Sequence, residues 1–205
     1  MSNELLFNED EKDCLQELMN VSYGAATAAI ADIINAFAIL SVPVIEIIDA
    51  KNLKDYLIKN LDLSTPHLIA TQLLNGELSG ENLFLIDTKS AISMAEEFDI
   101  DEDEISEEDL HDIVLETTNI LSSSIVSSLV SELGSNTTFS PPEIKKIDGE
   151  DDITNDFTKL YTKVIIISTE LTFEEKNIHG KLMMLTTDKS ISFIKKVLNK
   201  ILDEF

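Results

Sequence analysis

The stretch from Asp13 to Pro43 is answered 99 residues later by Asp112 to Pro142, so any fold for this chain must accommodate one polar skeleton twice. Asp13, Glu17, Asn20 and Pro43 become Asp112, Glu116, Asn119 and Pro142 at that single offset. On an α-helix, positions i, i+4 and i+7 fall within an arc of about 60°, so each copy aligns two carboxylates and an amide in one row. One such row would read as a solvated helix face. Two rows at one offset, each followed by a proline at the same distance, need a common explanation. The stripe Cys14, Leu18, Val21, Ala25 and Ala28, centred roughly 110° from the first row, is expected to face a core and leave the row at its margin.

A second correspondence supports the repeat: GENLFLIDTKS (80–90) aligns with GKLMMLTTDKS (180–190) at an offset of 100. The pattern predicts a long helix from Asn8 or Glu9 to about Ala38, a strand opened by Pro43, and a short helix over Lys51 to Asn60. Strands are expected over His67 to Leu78 and Glu81 to Asp87, then a helix over Thr88 to Phe98 capped by Thr88. The acidic run 99–110 reads as a solvated connector. The second half replays the first: a motif helix from Ser106 to about Leu133 stopped by Gly134, then a short strand over Pro142 to Asp148 and an acidic loop, GEDDITND. Strands KLYTKVIIISTELTF and KNIHGKLMMLTT follow, and Asp188 caps the last helix. The expected architecture is α+β. A mainly antiparallel sheet of about six strands is shared about a pseudo-twofold axis, with two long motif helices and further helices packed on it. The chain reads as a single domain, 1–205, of two half-repeats, about 8–98 and 106–205.

Charge narrows the function. There are 39 acidic and 15 basic residues, a net charge of −24, and every basic residue is Lys. Such a surface repels nucleic acid and anionic membranes. The lack of arginine removes the clamp that a self-sufficient phosphoryl-transfer enzyme normally carries. Cys14, the only cysteine, allows no disulfide and reads as a small buried thiol on the apolar side of its helix rather than a nucleophile. The N-terminus lacks the pattern of a secretory signal, and no uninterrupted apolar run reaches ~18 residues, so no membrane insertion and a cytoplasmic location are expected. His67, His111 and His179 lie apart, without ligand spacing, and no phosphate-binding glycine loop is present, so neither a metal site nor a bound cofactor is expected.

A Glu and an Asn one turn apart have a narrower use. The carboxylate can pair with a cation, and the amide can orient a water for in-line attack on phosphorus. A carboxylate would repel a bare phosphoryl group. The pair makes sense if the substrate is a protein that brings its own Mg²⁺ and lysine.

The pattern Asp-x-x-x-Glu-x-x-Asn followed about twenty residues later by Pro, present twice, resembles the CheC, CheX and FliY family of chemotaxis phosphatases over nearly the whole chain. Retention of both copies, and the lack of a further domain after the last helix, make CheC the nearest branch. The resemblance implies hydrolysis of the aspartyl phosphate of a phosphorylated CheY-type response regulator. Glu17 and Glu116 would grip the regulator's lysine, and Asn20 and Asn119 would position the attacking water. Asp13 and Asp112 would contact the partner or support the helix, and Pro43 and Pro142 would be structural. Mg²⁺ would come with the regulator. The receptor deamidase CheD is a further partner the family implies, and a monomer is expected. The alternatives are a non-catalytic module that binds phosphorylated regulator or CheD, and a structural repeat whose two rows bury each other. Ser123 and Ser124, standing where the first copy has Gly24 and Ala25, put equal activity of the two sites in doubt.

Overall fold

The computed structural model describes residues 6–34, 36–98, 100–101, 103–153 and 162–204. Among them the first half supplies α1 (Glu9–Ile34), β1 (Ile39–Leu40), β2 (Val44–Asp49), α2 (Leu53–Asn60), β3 (His67–Gly76), β4 (Gly80–Asp87) and α3 (Thr88–Glu96). The second supplies α4 (Glu107–Glu132), β5 (Thr137–Phe139), β6 (Glu143–Ile147), β7 (Lys163–Phe173), β8 (Ile178–Thr186) and α5 (Asp188–Asp203). All strands join one antiparallel sheet in the order β1-β7-β8-β4-β3-β5, with β2 beside β1 on β7 and β6 beside β5 on β3. The sheet is therefore six positions wide, and the fold is α+β as expected.

The sheet is symmetric about its middle. Leu83 faces Met183 at the centre of the β4–β8 pair, while Gly80 faces Thr186 and Ile86 faces Gly180, so residues 100 apart occupy mirrored places. The outer strands cross over. β1 and β2 of the first half pair with β7 of the second, and β5 and β6 of the second pair with β3 of the first. Each half thus closes the other's hairpin.

Both faces of the central strands are covered, which explains their unbroken apolar runs. Leu68, Ala70, Phe84, Ile86, Ile165, Ile167, Leu182 and Met184 meet the large core beneath α1, α3, α4 and α5. Their neighbours Leu83, Leu85, Val164, Ile166, Met183 and Leu185 meet a smaller core closed by Leu53 and Leu57 of α2 and by Ile147 and Ile153. α1 and α4 lie against each other on the first face. α4 has the length and mean hydropathy (1.4) of a membrane span, but half of that window is buried within the protein, as befits a core helix.

Several expectations shift. α1 stops at Ile34, and Ile39–Leu40 form β1, an extra short strand ahead of Pro43. α3 is capped by Asp87, whose side chain accepts from the Ser90 N–H, and α5 by Thr187, whose side chain also accepts from a Ser190 N–H. In both cases the cap sits one residue earlier than read, because the residue leaving the strand is already extended and free to turn its oxygen back. Residues 154–156 of the acidic loop and 159–161 at the start of the seventh strand lie outside the described residues.

Candidate functional site

Each motif row stands on a helix whose start is well secured. At α1, the Glu11 N–H donates to Asn8 Oδ1 and the Asn8 N–H to Glu11 Oε2, both at 2.8 Å. At α4, Ser106 and Asp109 make the same reciprocal exchange. Glu11 is only 1% exposed, and it also ties α1 to α5: Asn199 Nδ2 donates to it at 2.8 Å and Lys195 Nζ lies 3.5 Å away. Burial pushes its carboxyl up, but the Asn8 N–H, the Asn199 amide and the Lys195 ammonium outweigh that and hold it below the ordinary value.

The core stripe of α1 differs from the sequence reading. Leu15, Met19, Tyr23, Ala26, Ile30 and Ile34 are buried, whereas Cys14 and Leu18 are half-buried and Val21 is 52% exposed. The helix is apolar on both flanks of the row, and the flank with the larger side chains wins because it removes more apolar area from water. That buried face lies roughly 130° from the row on the opposite side to the one expected. The row therefore flanks the core from the other side, with Asp13, Glu17 and Asn20 exposed.

Asp13, Glu17, Asn20, Asp112, Glu116 and Asn119 are all exposed. Mutual burial of the two rows, the structural-repeat alternative, is thereby overturned. Among the described residues none of the four carboxylates has a hydrogen-bond or ion-pair partner. Each row presents uncompensated negative charge with an amide one turn on, a combination suited to receiving a cation from outside. Among the described residues no three His, Cys, Asp or Glu side chains are grouped to hold a metal ion.

The prolines are anchored to the frame. Gln16 Nε2 donates to the Pro43 carbonyl at 2.8 Å, and Thr169 Oγ1 of β7 donates to the Ser41 carbonyl at 2.6 Å. In the second half Gln72 Nε2 of β3 donates to the Ser140 carbonyl at 2.9 Å. Beside Asn20 an open groove of about 370 Å³ is lined by Asn20, Tyr23, Gly24, Thr27, Phe37 and Leu40, with Phe37 77% exposed. At the matching offsets of the second copy stand Ser123 and Asn136, so the surroundings of the two rows differ in polarity.

Sequence reasoning missed Gln72, which donates to Asn119 Oδ1 at 3.2 Å, and Asn82, whose Nδ2 donates to Ser122 Oγ at 3.0 Å. Their signal is a polar residue breaking the apolar face of a strand, Leu68-Ala70-Gln72-Leu74 in β3 and Asn82-Phe84-Ile86 in β4.

Residues 68–155 match the model of the family described as chemotaxis phosphatase CheX. Over that stretch the chain is similar to the CheX chemotaxis phosphatases. Three solved structures share the fold. FliY from Thermotoga maritima is 19% identical with a TM-score of 0.76, over 95% of this chain and 98% of that one. The chemotaxis protein CheX from Desulfovibrio desulfuricans is 14% identical with a TM-score of 0.54, over 83% and 99%. The FliM middle domain from Vibrio alginolyticus is 11% identical with a TM-score of 0.61, over 88% and 98%. No curated protein sequence matches.

Proposed function

We propose that this chain is a cytoplasmic phosphatase that hydrolyses the aspartyl phosphate of a phosphorylated CheY-type response regulator. The observation that carries this reading is the pair of exposed rows, each holding a carboxylate free of any partner among the described residues and an amide one turn further along the helix. Glu17 or Glu116 pairs with the regulator's lysine, and Asn20 or Asn119 orients a water in line with the phosphorus–aspartate bond. The water oxygen forms the new bond to phosphorus as the bond to the aspartyl oxygen breaks, and inorganic phosphate leaves with the regulator's carboxylate restored. Mg²⁺ bound by the regulator neutralises the charge on the phosphoryl oxygens. No covalent intermediate forms on this chain.

Two intact rows favour a CheC-like protein with two sites. The acidic surface argues against nucleic acid and anionic membrane as partners. A chain that supplies both halves itself favours a monomer. CheD is proposed as a second partner on family grounds alone, with no residue assigned to it.

Orienting one water by one donor contributes about 3 kcal/mol, roughly 10²–10³ in rate. Phosphate release from regulator charged with acetyl phosphate should therefore fall almost to the regulator's own rate with Asn20→Ala and Asn119→Ala combined, and only in part with either alone. A double variant as fast as the parent would refute the assignment. A parent that binds phosphorylated regulator without speeding its decay would leave the non-catalytic module instead.

A further inference from the structure

We infer that Gln72 is the positioning residue of the second site, holding the Asn119 amide in one orientation, a device the first site lacks; the inference rests on the phosphatase reading above. Gln72 is 1% exposed on the helix-facing side of β3. Its Nε2 has two hydrogens and both are used, one on the Ser140 carbonyl at 2.9 Å and one on Asn119 Oδ1 at 3.2 Å. The Ser140 carbonyl can only accept, so it decides which end of the Gln72 amide faces it. That end carries its second hydrogen to Asn119, and Oδ1 of Asn119 must turn inward to meet it. The Nδ2 edge of Asn119 is then turned away from Gln72. The exposed amide that would meet the incoming water is thus set by a chain of hydrogen bonds ending on backbone.

Gln72 pays for its position: its Oε1 is buried without a protein partner among the described residues. Such a group is costly and calls for an explanation other than packing. Its neighbour across the β3–β4 ladder is Asn82, which donates to Ser122 one turn beyond Asn119. Among the described residues, these two amides form a polar track under the second row.

The first half carries the same frame without the device. Thr169 of β7 interrupts the apolar face of its strand as Gln72 does, and it bonds the Ser41 carbonyl as Gln72 bonds the Ser140 carbonyl, 99 residues on. Its short side chain ends there. Across the ladder from it is Leu182 rather than an amide, and among the described residues the Asn20 side chain has no hydrogen-bond partner. One asparagine is held and the other is free to rotate, so the second site should turn over faster.

The test isolates the second site with Asn20→Ala and the first with Asn119→Ala, and adds Gln72→Thr to each. Threonine copies the Thr169 arrangement, keeping a bond to the Ser140 carbonyl without reaching Asn119. Misplacing a catalytic group by about 1 Å can cost 10²-fold, and partial loss of orientation should cost about tenfold. The expected result is a fall of about tenfold in kcat at the second site with KM for phosphorylated regulator unchanged. The ratio of second-site to first-site turnover should fall by the same factor, and Gln72→Met should do the same. An unchanged kcat, or an equal loss at both sites, would overturn the positioning role while leaving the phosphatase reading intact. If neither asparagine matters to phosphate release, the phosphatase reading fails and this inference falls with it.

Discussion

Replacing Glu11 should loosen the helix that carries the first row, by an amount its contacts fix. The carboxylate is 1% exposed and accepts from the Asn8 N–H and the Asn199 amide, with Lys195 3.5 Å away. Hydrogen bonds to a charged acceptor contribute about 1.5–3 kcal/mol when both groups are shielded. Here the Lys195 side chain is 29% exposed and Asn199 is at the surface, so both partners regain water once released. That puts Glu11→Ala at about 3 kcal/mol and Glu11→Gln, which keeps the shape but not the charge, at about half of it. For a chain of this size, about 3 kcal/mol corresponds to roughly 6–12 °C in Tm. The folded-state carboxyl titrates below its ordinary value of 4.5. Its contribution is therefore complete above that value and disappears as pH falls through the lower, folded one. Urea unfolding of parent and Glu11→Gln at pH 7 and at successively lower pH should show a gap that narrows as the pH falls below 4.5. A gap under about 0.5 kcal/mol at pH 7, or one that widens as the pH is lowered, would refute the reasoning.

Two further outcomes follow from the geometry. Gly80→Ala should destabilise by more than about 3 kcal/mol or prevent soluble expression, because Gly80 has φ 153° and an added Cβ would meet the Leu185 backbone oxygen across the β4–β8 pair; urea denaturation measures it. Glu17→Gln and Glu116→Gln should each weaken capture of phosphorylated regulator about three- to tenfold, chiefly in KM and less so at high salt, because each removes the charge that would meet the regulator's lysine. Steady-state phosphate release at two ionic strengths reads both effects.

The motif helices, the hairpins and the exposed rows could be read from local pattern, since the spacing that aligns Asp13, Glu17 and Asn20 is a property of the helix alone. The choice of core face on α1 could not. Cys14, Leu18 and Val21 form as plausible a stripe as Leu15, Met19 and Tyr23, and only the sheet beneath decides between them. Strand exchange was equally hidden, because which hairpin β1 and β2 join depends on residues more than 110 positions away. Gln72 escaped notice for a different reason. Its polar break in β3 is visible in the sequence, but its partner lies on a helix 47 residues further on.

The exchanged outer strands also constrain how such a protein can change. Truncation after the acidic connector would strip β3 of both strands on its outer edge and leave β1 and β2 with nothing to lie against. The backbone ties the halves together more firmly than the chemistry does. A descendant that needs only one site must silence the other by changing side chains in place, retaining a full-length frame around an idle helix.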